Sequence, residues 1–203
     1  MEAEKDYTRD IAEIRSMMER SSKFMSLSGW AGIMAGIYAL AGALIAWKVF
    51  DFNPDELFYK NPGPGSGFRN VFLLSGLILV LALATSIFDS FLRAKKRGEK
   101  AWNVLSRRLI ANMSAPLVSG GILILVLIAY GLIGLVAPLT LIFYGLALYN
   151  AGNFTFNEVR ILGIVQITLG LISLHMIQYG LLIWAVGFGL AHIVYGIYMH
   201  YKH

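Results

Sequence analysis

"VFLLSGLILVLALATSIFDSFLRAKKRGEK", residues 71–100, decides how the whole chain is read. No charged residue occurs from Val71 to Phe88. A helix needs roughly 20 apolar residues to cross a ~30 Å hydrocarbon core. The charges then arrive together, as Arg93, Lys95, Lys96, Arg97 and Lys100. An apolar run closed by a basic cluster is a membrane span ending on the side where Lys and Arg collect.

Composition extends that reading to the chain. Of 203 residues, 57% are hydrophobic and only 14% charged, about half the quarter usual for a soluble domain. A soluble fold would be left with a mostly apolar surface. There are no cysteines, so disulfides, thiolate metal sites, cysteine nucleophiles and palmitoylation are excluded. The first 23 residues are charged and helical in pattern, unlike a cleavable signal peptide.

Six spans are predicted: 25–47, 70–92, 114–135, 138–151, 156–176 and 179–200. The fourth is short, with Pro138 as a helix start and Gly152 as a stop. Thr155 and Glu158 have the spacing of a capping box for the fifth span, and Phe154 and Val159 that of a hydrophobic staple. With an even number of spans, both ends lie on one side. That side holds Lys5, Arg9, Arg15, Arg20 and Lys23, then Arg93, Lys95, Lys96, Arg97, Lys100, Arg107 and Arg108, and finally Arg160 and Lys202. The other side holds Lys48, Lys60 and Arg69. The positive-inside rule places both termini in the cytoplasm. Topology thus accounts for the net charge of +5, and no nucleic-acid partner is expected. The basic connection at 93–108 also suits anionic lipid headgroups.

The expected architecture is all-α. A cytoplasmic amphipathic helix over residues 1–23 precedes a six-span domain over 24–203. Tyr7, Ile11, Ile14 and Met18 alternate by four and three and form one stripe. The stripe suits docking on the protein's own loops, a partner helix or a second copy. Residues 93–113 read as a basic helical hairpin with Gly98 at its turn, and Pro116 as a kink in the third span. On the opposite side, "NPDE" (53–56) is a helix start, and "NPGPGSG" (61–67) is a turn rather than a phosphate loop, lacking a preceding strand and a following Lys-Ser/Thr. In the first span, Ser28, Gly32 and Gly36 make one row of small residues, and Ala31, Ala35, Ala39 and Ala43 a second. Such rows suit close helix packing.

Ionisable residues inside spans are functional candidates. Asp89 has Arg93 at i+4, the spacing of an ion pair on one helix face. His175 and His192 differ in depth by ~10 Å, too much to share a metal or a haem. His192 reads as a packed histidine that bonds a neighbouring helix, with proton-linked or ligand-binding roles as alternatives. A polar recess open to the cytoplasm is expected from Asp89, Tyr149, Asn150, Asn153, Glu158, Arg160, His192 and His200, grouped by depth. No catalytic residue, metal site or cofactor is expected, because HExxH, GxSxG and clustered carboxylates are all missing.

"LIFYGLALYNAGNFTFNEVRILGIVQITLGLISL" (141–174) and "WAVGFGLAHIVYGIYMHYK" (184–202) resemble the second half of small, uncharacterised multi-span proteins of bacterial inner membranes. The resemblance rests on glycine–aromatic spacing over spans four to six. It implies a bacterial cytoplasmic membrane and carries over no activity. The functional expectation is a non-enzymatic regulatory or scaffolding membrane protein engaging a cytoplasmic partner or itself. A carrier or binder of a small amphipathic or lipid-like ligand is the alternative. A membrane enzyme using His192 and Asp89 comes third.

Overall fold

The computed structural model of the chain describes residues 29–52, 68–96, 102 and 104–202. The stripe over residues 7–25, Ser28, the "NPDE" and "NPGPGSG" segments and the tip of the basic hairpin lie outside the described residues. Among the described residues the structure is helical, with six helices long and apolar enough to cross a membrane. They comprise α1 (Gly29–Lys48), α2 (Phe68–Lys96), α3 (Val104–Ala129), α4 (Val136–Ala151), α5 (Asn157–His175) and a composite sixth span, Ile177–Lys202.

Span boundaries shift where local geometry overrides composition. The third helix stops at Ala129 instead of running to 135. Gly131 turns the chain there with φ 76°, a conformation costly for residues bearing a Cβ. A 3-10 turn, Ile133–Leu135, then leads into α4. The fourth span is therefore 19 residues long, roughly 28 Å at an α-helical rise, and need not thin the bilayer. Pro138 falls within the first turn of α4, where its missing N–H has no intrahelical partner to lose. α3 runs through Pro116 without interruption.

Gly152 stops α4 as expected, whereas the Thr155 cap is replaced. Phe156, in extended conformation, precedes α5 with no side-chain cap bond. The Thr155 hydroxyl instead donates back to the Ala151 carbonyl, at 2.9 Å. Gly152 follows α4 in right-handed helical geometry. Its lack of a side chain serves packing, since a Cβ there would fall 2.6 Å from Arg160 Cβ. Phe154 and Val159 do share a core cluster, with Leu109, Leu148, Ala151 and Leu162.

Lipid provides no hydrophobic drive between helices, so close packing and hydrogen bonds join them. α1 lies against the sixth span at Gly29 and Gly196, where a Cβ on either would come within 2.4 Å of the other's carbonyl oxygen. Gly32 and Gly36 continue that contact along His192 and Gly189, while Ala39 and Ala43 are buried. α4 and α5 meet at Gly145 and Gly163 in the same way, and α3 meets α4 where Gly120 seats the Phe143 ring. α2 packs mainly on α1. There the Tyr38 hydroxyl lies 3.3 Å from Thr85 Oγ1. Thr85 already donates to the Leu81 carbonyl, so Tyr38 is the donor. Spans 1, 4, 5 and 6 make the centre, and α2 and α3 lie at its margins.

Candidate functional site

The polar centre of the bundle forms where the sixth span departs from α-helical geometry. Gly180–Trp184 is α-helical, Ala185–Ala191 is a π-helix, and α-helix resumes at His192 and runs to Lys202. π-Segments are rare and often occur at functional sites. The Gly187 carbonyl here receives two side chains. Gln166 Nε2, from α5, donates to it at 2.7 Å. His192 Nδ1, from the same span, lies 3.0 Å from it. On the other side of the ring, His192 Nε2 lies 3.0 Å from the Tyr144 hydroxyl of α4.

These partners assign the tautomer. A carbonyl oxygen only accepts, so Nδ1 carries the proton and donates to Gly187. Nε2 is then the acceptor and Tyr144 the donor. Gln166 Nε2 also lies 3.3 Å from His192 Nδ1, but a protonated Nδ1 cannot accept, and Gln166 bonds the carbonyl instead. Gly187 allows this arrangement, because a Cβ there would sit 2.7 Å from Gln166 Oε1 and 2.5 Å from Leu141 Cδ2. Aromatic packing holds the imidazole in place. Trp184, Phe188 and His192 follow at intervals of four, with centroids 4.9 Å and then 5.8 Å apart, and the Phe188 and His192 rings are within 9° of parallel. Tyr144 packs against both Phe188 and His192.

The other residues expected to form a recess fall into separate groups. At the turn between α4 and α5, Arg160 donates to Asn153 Oδ1, and its guanidinium lies over the Tyr149 ring at 5.3 Å. Asn150 is half-buried there, and its carbonyl accepts the Asn153 N–H. Glu158 pairs with Lys202 at the end of the sixth span, and Lys202 also donates to the Tyr198 hydroxyl. Asp89 bonds Arg93 Nε at 3.1 Å on the surface of α2. His200 is exposed and meets Tyr201 edge-on. His175 is exposed at the end of α5. Tyr149, Asn153 and Arg160 thus come together, as do Glu158 and Lys202, while His192 sits apart with Tyr144 and Gln166.

Tyr144 and Gln166 escaped the sequence reading because neither is charged. Their signals were present. Gln166 places an amide inside an apolar helix, and Tyr144 lies mid-span, whereas tyrosines collect at membrane interfaces. Among the described residues, no group of three His, Asp or Glu is placed to hold a metal ion.

No family model matches the chain. No curated protein and no solved structure is significantly similar to it.

Proposed function

We propose that this chain is a non-enzymatic regulatory or scaffolding protein of a bacterial cytoplasmic membrane. In this reading both termini are cytoplasmic, and it engages a cytoplasmic partner, or a second copy, at the Lys202 end of the bundle. One juxtaposition supports this. The described part of α1 starts at Gly29, directly against Gly196 and His200, so the chain before it connects beside the exposed C-terminal surface. Tyr198, His200, Tyr201 and Lys202 are exposed there. A docking face built from the 7–18 stripe and this rim would combine apolar anchors with a basic, aromatic edge, the composition favoured at interfaces.

The test is affinity recovery of the full chain from native membranes in mild detergent, with mass measurement of what is retained. Ile11→Asp/Ile14→Asp should lose the co-purifying chain or the dimer. Retention of the same partner by that variant would overturn the reading.

A second reading, binding of a small amphipathic or lipid-like ligand, draws on Arg160. Its Nε is buried with no hydrogen-bond partner. An anionic headgroup beside Tyr149 and Asn153 would supply charge-assisted acceptors. Arg160→Gln would then reduce retention of anionic lipid in native mass spectra and leave partner recovery unchanged.

A further inference from the structure

Among the described residues, three buried oxygens along the α4–α5–sixth-span core have no hydrogen-bond partner: Tyr195 Oη, Gln166 Oε1 and Ser173 Oγ. Gln166 and Ser173 are wholly buried, at 0% exposure. A polar group left dry in such surroundings costs about 1–3 kcal/mol, and internal water is the usual way it is satisfied.

These groups follow an order along the bundle. Glu158 opens α5 beside Lys202. Gln166 and Ser173 lie roughly 12 and 22 Å further along the helix, and steps of eight and seven residues keep them near one face. From the sixth span, Tyr195 packs, as Tyr144 does, on the core cluster that contains Val159, the residue next to Glu158. Tyr144 bonds His192, and His192 and Gln166 share the Gly187 carbonyl. The column therefore runs Glu158, Tyr195, Tyr144, His192, Gln166, Ser173, through layers that are otherwise apolar.

We propose that this column carries protons across the membrane, with internal water bridging the partnerless oxygens. A proton enters at Glu158. Tyr144 passes its hydroxyl hydrogen to His192 Nε2 and takes one from water shared with Tyr195, so the tyrosine stays neutral. The imidazolium releases its Nδ1 hydrogen to water held by Gln166 Oε1, and the neutral ring then turns so that its bare nitrogen again faces Tyr144, which resets it without returning the proton. No electron moves and no covalent intermediate forms. Among the described residues, the titratable group in contact with His192 is Tyr144 from α4. α5 presents the neutral Gln166, and α1 presents Gly32 and Gly36. Leu141, wholly buried, and Leu169 border with Gln166 Oε1 the space that a Cβ on Gly187 would take. They close the step toward Ser173 and act as the gate.

The experiment uses the full chain in liposomes containing a pH-sensitive dye, with a potassium diffusion potential driving proton entry. Wild-type protein should acidify the lumen faster than protein-free vesicles. Tyr144→Phe, which keeps the ring and removes the relay hydroxyl, should return the rate to the protein-free level. Leu141→Ala should raise it several-fold, and adding Tyr144→Phe to that variant should cancel the gain. Matching size-exclusion profiles establish that each variant is folded. Baseline rates from both wild type and Leu141→Ala, or full flux with Tyr144→Phe, would overturn the proposal.

Discussion

The Tyr144 hydroxyl of α4 meets His192 Nε2 of the sixth span at 3.0 Å, and that bond helps set the resting tautomer of the imidazole. Its other nitrogen is committed to Gly187, so both ring nitrogens are used within the protein. The site is preorganised by three spans at once. Tyr144 comes from α4, Gln166 from α5, Gly187 from within the π-segment and His192 from the position directly after it.

The same geometry ranks three substitutions by stability. Tyr144→Phe removes one hydrogen bond and should cost about 1 kcal/mol. His192→Ala leaves a cavity and deprives Tyr144 of its acceptor, and should cost about 3 kcal/mol or more. Gln166→Leu removes an amide whose oxygen has no partner, while Gly187 keeps His192 as a donor. It should cost about 1 kcal/mol or less. Denaturant titration in one detergent compares all three, and a Gln166→Leu loss as large as that of His192→Ala would contradict this account.

Glycines at helix contacts should behave unlike glycines facing outward. A Cβ on Gly163 would lie 2.6 Å from the Tyr149 backbone nitrogen and 2.7 Å from the Gly145 oxygen. Because backbone cannot swing aside, Gly163→Ala should destabilise by about 1–3 kcal/mol. Gly76 and Gly121 have nothing within 4 Å, and alanine at either should change stability by less than about 0.5 kcal/mol. Thermal unfolding in micelles reads the difference.

The two ion pairs should separate by location. Asp89 and Arg93 are neighbours on one helix, with side chains 17% and 37% exposed. Asp89→Asn should shift stability by no more than about 0.5 kcal/mol. Glu158 and Lys202 tie the start of α5 to the end of the sixth span. Glu158→Gln should therefore speed amide exchange over residues 198–202 and leave α2 unaffected, as mass-spectrometric hydrogen exchange would show.

Because the chain has no cysteine, orientation can be read with single introduced thiols. Tyr130→Cys and Gln178→Cys lie at connections on one side, and Asn153→Cys and Tyr201→Cys at the other. In intact cells a membrane-impermeant maleimide should label only the first pair. Labelling of the second pair alone would reverse the orientation inferred from Lys and Arg.

Much of the architecture was legible because lipid imposes local rules. Every backbone group must be satisfied within its own helix, so runs such as 71–88 report spans directly. The turn at Gly131 was misplaced because two turn signals compete within a few residues, and Pro138 tolerates any place in a first turn. The Thr155 cap failed because its hydroxyl had a buried carbonyl to satisfy instead. The polar centre was only half legible. His192 is conspicuous by charge, whereas Gln166 and Tyr144 gain their importance from the helices that bring them to it.

The sequence alone determined the six segments long and apolar enough to cross a membrane and where the basic residues fall along the chain. Each follows from transfer energy and charge counted along the chain. Tertiary structure alone decided which faces meet. α2 is apolar on nearly every side, and exposed leucines and phenylalanines surround it. In lipid, periodicity therefore cannot separate inside from outside as it does in water. The deciding contacts are instead steric and polar: glycine against backbone at Gly29–Gly196 and Gly145–Gly163, Gln166 and His192 on one carbonyl, and Tyr144 on the far nitrogen of His192. Both kinds exist only once distant helices are side by side.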